Sequence, residues 1–269
     1  MQSTFCGHVY QHCQNSGRSL HVINLDPAAD VFTYPVSADI RELISVSEVM
    51  EQFDLGPNGA LLYCMEYLEE NLRDWLFAAL EGYDDEDCVV FDCPGQIELY
   101  SHHSVFRTLV NQMHDWSWRL VAVYMLDSQF ITDASKFIAG CLQCQSAMMN
   151  FQLPHINVLT KVDLLPEKAL IEPYLTPDGG ALVSGLQADV RPALQRLDDS
   201  VAQLLDDYSM VSFRPLDLSD FDSVSQLLYT IDCAVQFGED SDVRTSRHED
   251  MHEEILCSRP SGQTQPRTV

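Results

Sequence analysis

Two hydrophobic patterns take turns along this chain: short apolar runs that suit buried strands, and longer stretches with apolar residues at helical spacing. The runs that predict strands cover residues 20–25, 88–91, 119–126, 156–159 and 210–213. The stretches that predict helices cover residues 3–14, 39–50, 65–80, 98–114, 134–151, 186–205 and 219–237. Because strand and helix alternate, the pattern predicts an α/β fold with a doubly wound, mostly parallel sheet and helices on both faces.

This periodicity fades near Gly238, and Ser, Thr, Gln, Pro and Arg dominate from there to Val269. We therefore predict one domain over residues 1–237 and a flexible tail over residues 238–269. Within the tail, His248 to His252 matches the H-E-x-x-H zinc motif. Its flanks are polar and no clear third ligand follows, which favours a chance match.

Composition narrows the classes of partner and compartment. A formal charge of −26 argues against direct binding to nucleic acid or to an anionic membrane, and no apolar run is long enough to span a bilayer. The nine cysteines show no paired framework, which favours free thiols in a reducing compartment. We expect a protein of the cytosol or the nucleus, with a cytoplasmic location favoured and shuttling to the nucleus left open.

Two predicted strands each deliver an aspartate to the carboxyl edge of the sheet, where open α/β sheets bind ligands. One strand leads into Asp26, and the other leads into Asp92-Cys93-Pro94-Gly95-Gln96. A nucleotide hydrolase uses the pattern D-x-x-G-Q to reach a phosphate-bound Mg²⁺ through the Asp and the γ-phosphate through the Gly backbone. An ordinary Asp-Pro-Gly turn explains the same residues on local grounds.

A third strand runs into Thr160-Lys161-Val162-Asp163. A carboxylate can accept from the two N–H donors on one edge of guanine, and the stem of a lysine can lie over the purine plane. Adenine lacks that pair of donors, so the motif favours GTP over ATP. A fourth segment, Gly56-Pro57-Asn58, is strong turn chemistry that a hairpin or a surface loop explains locally.

Taken together, these motifs closely resemble the GPN-loop GTPases in order and spacing, and the resemblance covers nearly all of residues 3–237. The segments that carry it are Asn24 to Ala28, Gly56 to Asn58, Phe91 to Leu99 and Thr160 to Asp163. The resemblance implies GTP hydrolysis on a P-loop α/β fold that works as a dimer. Each protomer's Gly-Pro-Asn loop would then insert towards the nucleotide phosphates of its partner.

The resemblance also implies a role for each matching residue. Asp92 belongs to the Mg²⁺ shell, Lys161 and Asp163 bind guanine, and Gln96 and Asp26 help to place the attacking water or the metal. Gly95 approaches the γ-phosphate, and Gly56, Pro57 and Asn58 form the loop. Ser3 and Thr4 resemble the pair that follows the family's phosphate-binding lysine, with Ser3 as a ligand of Mg²⁺.

The same resemblance implies partners. The chain would pair with itself or, as a heterodimer, with a paralogous GPN-loop GTPase. Members of the family in eukaryotes act in the assembly and nuclear import of RNA polymerase II, so its subunits are expected partners.

The sequence departs from the family at its start. A P-loop needs G-x-x-x-x-G-K-[ST] after a strand, and here Met1 stands in place of the last Gly and Gln2 in place of the Lys. Loss of these groups is expected to weaken GTP binding by orders of magnitude. The preceding strand, which is central in the sheet, is expected to be missing from the fold.

Two hypotheses follow from this departure. In the first, the biological protein is a GTPase and an upstream exon supplies the strand and glycine loop. In the second, the chain is a nucleotide-free interaction subunit that pairs with a complete paralogue.

Overall fold

The computed structural model describes residues 2–83, 87–101, 103–165, 171–180, 182, 195–207 and 211–238. Its strands are β1 (Leu20–Asn24), β2 (Val36–Asp39), β3 (Cys88–Asp92), β4 (Ala122–Asp127), β5 (His155–Thr160) and β6 (Phe213–Pro215). Its helices are α1 (Gln2–Ser16), α2 (Val46–Phe53), α3 (Pro57–Leu80), α4 (Glu98–Ser101), α5 (Val105–Asp115), α6 (Ala134–Phe151), α7 (Glu172–Leu175), α8 (Gln195–Asp207) and α9 (Phe221–Val235).

The described strands form two parallel sheets of three strands each, in the orders β2-β1-β3 and β4-β5-β6. All four strand pairs are parallel, as predicted. The edge strands β3 and β4 pair with β1 and β5 respectively and belong to different sheets. The α/β fold with parallel strands is therefore confirmed, but the strands do not join into the single sheet that the pattern predicts.

Contacts between α1 and α9 show how the two sheets are oriented. His12 of α1 stacks on Phe221 at the start of α9, and Arg18, just after α1, binds Asp232 near the end of α9. The two helices therefore run in the same direction. Since α1 leads into β1 and α9 follows β6, both sheets have their carboxyl ends on the same side of the molecule.

Three apolar clusters hold these layers together. The first packs the sheet β2-β1-β3 against α2, α3 and α5, and the second packs the sheet β4-β5-β6 against α6 and α8. The third contains side chains of α1 and α9 together with Val22 of β1 and Val158 of β5. Because the third cluster draws on both sheets, it joins the two halves of the described fold.

The edge strands β3 and β4 are less buried than the central strand β5. Residues 88–91 of β3 and residues 122–125 of β4 are half-buried, whereas β5 is buried at every residue after His155. The sequence of β3 is apolar on both faces, which is typical of the interior of a parallel sheet. Among the described residues, β3 is therefore less buried than its apolar sequence predicts.

Several predicted elements need correction. Residues 39–50 do not form one helix, because β2 ends at Asp39, Ile40–Glu42 form one 3-10 turn, and Ser45 caps α2 by accepting from the N–H of Glu48. Residues 98–114 are divided between α4 and α5. The last described strand begins at Phe213, rather than spanning residues 210–213.

The hairpin or loop considered for Gly56-Pro57-Asn58 is also wrong. Gly56 is the N-cap of α3 and Pro57 is its first residue. Proline suits this position because its missing N–H has no partner in the first turn and its φ is already helical. The predicted tail from residue 239 onward, with its H-E-x-x-H match, lies outside the described residues, so the proposed domain boundary stays a prediction.

Across the described part of the chain, no helix combines the length and the apolar character needed to cross a membrane.

Candidate functional site

Asp92, the last residue of β3, is a buried carboxylate at the carboxyl edge of the first sheet. Its side chain is 2% exposed, and the hydroxyl of Tyr34 donates to its Oδ2 at 2.5 Å. Its other oxygen, Oδ1, is buried and accepts no hydrogen bond of ordinary geometry among the described residues, although the thiol of Cys6 lies close enough to the carboxylate for it to raise the pKa of that thiol. An unpartnered buried carboxylate oxygen is costly, and it is an unused ligand for a cation.

Asp26 lies beside this carboxylate, one residue beyond the buried Leu25 that follows β1. The N–H of Leu25 donates to the carbonyl of Asp92 at 2.8 Å, which ties the ends of β1 and β3 together. Asp26 Oδ1 accepts from the N–H of Ala28 at 2.9 Å. Burial raises the pKa of Asp26, and the nearby charge of Asp92 raises it further.

The start of α1 forms the next wall of this site. The side chain of Ser3 lies beside the Tyr34 hydroxyl and acts on its pKa, which burial and the bond to Asp92 raise. Gly7 allows this approach, because a Cβ there would lie 2.2 Å from Oγ1 of Thr33 and 3.8 Å from the ring of Tyr34. Thr4, also predicted in this site, is exposed on the first turn of α1.

Gln2 faces the turn that follows β3. Its Oε1 lies 3.9 Å from the position that a Cβ would take on Gly95, and its side chain lies beside the hydroxyl of Tyr100. That hydroxyl donates to the carbonyl of Pro94, which fixes the turn. Gly95 and Gln96 are both exposed. A neutral amide therefore occupies the place beside this turn where the predicted chemistry requires a cation.

Lys161 and Asp163 follow β5 at the carboxyl edge of the second sheet, and both are exposed. Lys161 has a left-handed backbone with φ of 59°, which turns the chain into the 3-10 helix Val162–Leu164. Its ammonium lies 2.6 Å from Oδ2 of Asp127, the last residue of β4. The hydroxyl of Ser128 donates to the carbonyl of Lys161 at 2.9 Å.

The predicted residues thus fall into three groups. The first contains Ser3, Asp26, Asp92 and Gly95 at the carboxyl ends of β1 and β3. The second contains Lys161 and Asp163, on the same side of the molecule but after β5. Gly56, Pro57 and Asn58 form a third group, exposed at the start of α3.

Sequence reasoning missed the residues that support these groups. Tyr34 lies outside any periodic segment, and its contact with Asp92 joins residues 58 positions apart. Asn24 was given no role of its own, yet its side chain accepts from the N–H of Asp26 and donates to Asp39. Asp127 and Ser128 follow an apolar strand as Asp26 and Asp92 do, and that shared position was the available signal.

The first group suits Mg²⁺, which prefers oxygen ligands. The free Oδ1 of Asp92 and the Ser3 hydroxyl would serve it, directly or through bound water. Among the described residues, no group of three or more His, Cys, Asp and Glu side chains could hold a metal without other ligands. Mg²⁺ would therefore need to bind together with a further oxygen donor, such as a phosphate.

Comparison with known proteins places this geometry in context. A family model described as "Conserved hypothetical ATP binding protein" matches residues 2–237. The chain is 46% identical over 261 residues to GPN-loop GTPase 3 of Mycosarcoma maydis, covering 93% of this chain and 92% of that protein. It is 44% identical over 254 residues to GPN-loop GTPase 3 of Danio rerio, covering 93% and 88% of the two chains.

A solved structure agrees on the fold. The apo crystal structure of a GTPase from Pyrococcus abyssi superposes with a TM-score of 0.69 at 22% identity, and the match covers 85% of this chain and 91% of that one. The described fold is therefore of the P-loop NTPase-like α/β type.

Proposed function

Since this chain belongs to the GPN-loop GTPase family, we propose that it binds GTP with Mg²⁺ and hydrolyses it where β1, β3 and β5 end. One observation carries the proposal: the buried Asp92 with its unpartnered oxygen lies on the same side of the molecule as Lys161 and Asp163. A metal-bound phosphate would meet the first group while the base meets the second. When bound, Mg²⁺ supplies the positive charge that neutralises the phosphate oxygens.

The chain's own residues have distinct tasks in this proposal. Asp92 would hold the metal or its water, with its carboxylate fixed by the hydroxyl of Tyr34. Asp26, whose pKa is raised, and the exposed Gln96 orient the attacking water. Gly95 leaves the backbone open for close approach of a phosphate, since even a Cβ built there would come no nearer than 3.9 Å to the side chain of Gln2.

The choice between guanine and adenine rests on Asp163. A carboxylate matches the two N–H donors of guanine, and adenine would leave it unpaired. We therefore propose GTP, although the family description refers to ATP.

Gln2 offers a direct test of the phosphate half. Fluorescent GTP is titrated with Mg²⁺ into the wild-type chain, Gln2→Lys and, as the matched control, Gln14→Lys, which is exposed at the far end of α1. One charge-assisted hydrogen bond of about 1.5–3 kcal/mol predicts at least tenfold tighter binding by Gln2→Lys. Equal binding by Gln2→Lys and Gln14→Lys, or no binding by any of the three chains, would contradict the proposal.

A second experiment tests whether an added strand and phosphate-binding loop strengthen GTP binding. A version that carries an apolar strand and a glycine-rich loop ahead of Gln2 could place a strand between β3 and β4 and N–H donors beside Gly95. We expect it to bind GTP more tightly than the wild-type chain, because backbone N–H groups donate to the phosphates. Equal micromolar affinity of the extended and unextended chains would show that the loop is not needed.

The alternative is a nucleotide-free interaction subunit, and the neutral Gln2 beside Gly95 favours it. It predicts that none of these chains binds GTP, and that this chain co-purifies with a complete paralogue. A chain that stays soluble, monomeric and unpaired would count against it.

For partners, we propose a homodimer or a heterodimer with a paralogue, acting on RNA polymerase II subunits in the cytoplasm and nucleus. Exposed apolar side chains before the Gly56–Asn58 segment support an interface there: Phe53 is 46% exposed and Leu55 36%. The assembly role itself rests on the family resemblance. Pull-down with tagged paralogue and polymerase subunits tests both, and loss of pairing in Phe53→Asp is the expected result.

A further inference from the structure

The side chain of Asp127 links the carboxyl ends of β4 and β5. It closes β4, and its Oδ2 accepts from the ammonium of Lys161 at 2.6 Å, 34 residues along the chain. Its Oδ1 accepts from the N–H of Gln129 at 3.0 Å, so the carboxylate cannot rotate freely. The side chain of Asp127 is only 17% exposed, against 43% for Lys161. The fixed member of the pair is therefore Asp127, and it sets where the ammonium lies.

Ser128 holds the other end of the same lysine. Its residue is fully buried, and its hydroxyl donates to the carbonyl of Lys161 at 2.9 Å. Lys161 has a left-handed backbone, which is uncommon for residues other than glycine. The hydroxyl of Thr160 returns a bond to the carbonyl of Leu126 at 3.3 Å. The ends of β4 and β5 are thus tied together around one lysine.

A structural role alone explains this arrangement poorly. Partly exposed ion pairs stabilise proteins little, since side-chain ordering offsets their attraction. Asp133 and Lys136 of the next helix show what an ordinary pair looks like: they are 3.7 Å apart, local, and the lysine is 65% exposed. Asp127 instead holds the ammonium of Lys161, and Ser128 holds the backbone carbonyl of the same residue.

We propose that Asp127 and Ser128 are positioning residues for recognition of the guanine base. With its two ends held, the alkyl stem of Lys161 forms a fixed wall against the face of a purine, while Asp163 accepts from the edge of guanine. This inference rests on the proposed function. It predicts that the residues at the end of β4 raise the affinity for the guanine base without contacting the phosphates.

Fluorescent GDP titrations on the full chain test the proposal with Asp127→Ala, Asp127→Asn, Ser128→Ala and the control Asp133→Ala. We expect Asp127→Ala to weaken GDP binding about tenfold, because the restraint on Lys161 is lost. Asp127→Asn keeps an acceptor for the ammonium and should recover part of the affinity. Asp133→Ala removes a helix cap and a lysine pair elsewhere, and should bind GDP as the wild type does. In any hydrolysing form of the protein, KM should rise while kcat stays unchanged.

A second readout follows Lys161 directly. The sequence contains three lysines, Lys136, Lys161 and Lys168, so ¹³C-dimethylation gives few NMR signals, and Lys161→Arg identifies the one of interest. Asp127→Ala should move the Lys161 signal towards that of a free lysine, and Asp133→Ala should not.

The outcomes separate the two levels of inference. If the wild-type chain binds GDP and Asp127→Ala changes neither the affinity nor the Lys161 signal, the positioning role is wrong and the proposed function stands. If the wild-type chain binds no guanine nucleotide, the proposed function fails and the role in base recognition fails with it.

Discussion

The charged side chains at the carboxyl ends of the two sheets differ in whether they have partners. At the end of the first sheet, Asp92 is buried with one oxygen unpartnered, and Asp26 lies beside it with a raised pKa. At the end of the second sheet, Lys161 is paired with Asp127 and held by Ser128. The first group is therefore electrostatically incomplete, whereas the lysine of the second group is already neutralised and held in place.

This contrast follows from the ligand that each half would meet. A metal with a phosphate brings charge that can offset a buried carboxylate, so the cost of burying Asp92 alone disappears on binding. A base is neutral and brings none, so its site gains affinity by being ordered in advance. The predictions below test this division, beginning with the largest effect.

Asp92→Asn should abolish Mg²⁺-dependent GTP hydrolysis, with a loss of at least about a hundredfold, because the metal loses a charged ligand. We also expect stability to rise, because an unpaired buried amide costs less than an unpaired buried charge. The control is Asp39→Asn, since Asp39 is already satisfied by Arg41 at 2.7 Å and should lose stability. Hydrolysis assays and urea unfolding measure both effects. Loss of stability in Asp92→Asn would contradict an incomplete site.

Asp163→Asn should change base selectivity in the second sheet and leave metal binding intact. The amide presents a donor where the carboxylate accepts, so xanthine, which carries an oxygen in place of the amino group of guanine, should bind better. We expect the preference for GTP over XTP to fall by about 10- to 100-fold, equivalent to roughly 1–3 kcal/mol. Competition against fluorescent GDP measures the preference, and an unchanged ratio would remove Asp163 from the base site.

The strands and the aspartates that follow them were predictable because a short apolar run followed by Asp and a turn residue is a local signal. The contacts that hold each group in place were not predictable from the sequence. Tyr34 reaches Asp92, and Lys161 reaches Asp127, across 58 and 34 residues, and no periodic pattern encodes such pairs. The split of residues 39–50 was missed because β2, a strand of four residues, is too short to alternate clearly.

The Gly-Pro-Asn segment shows a different limit. Gly and Pro favour a turn, but Pro also favours the first position of a helix. Here the apolar residues that follow Pro57 are buried on one side of α3, so the segment starts a helix. The division into two sheets could not be predicted from strand patterns either, since β3 and β4 each read as an interior strand.

Glycine substitutions compare packing in the two halves. Gly140→Ala in α6 would place a Cβ 2.9 Å from both methyl groups of the buried Leu126 in β4, so it should destabilise the fold by about 1–3 kcal/mol. Gly7→Ala meets the hydroxyl of the exposed Thr33, which can rotate, and the gain in helix propensity offsets part of the cost. Gly59→Ala, with Leu55 no closer than 3.8 Å, should stabilise by about 0.5–1 kcal/mol. Chemical unfolding checks the order, and a Gly140→Ala chain as stable as wild type would contradict it.

The last prediction concerns the acid stability of the second sheet. His155 begins β5 with both ring nitrogens buried and without a partner among the described residues, and burial lowers its pKa to about 4. The unfolded chain takes up this proton near pH 6.5, so the contribution of neutral His155 is complete above that pH and is lost as pH falls towards 4. His155→Phe keeps an aromatic ring facing Tyr124, 6.2 Å away, but cannot titrate. The free energy of unfolding should therefore fall more steeply between pH 6.5 and 4 for wild type than for His155→Phe. If the two curves of unfolding free energy against pH were parallel, the ring of His155 would be solvated. The second sheet, like the first, would then tolerate a charge at its edge.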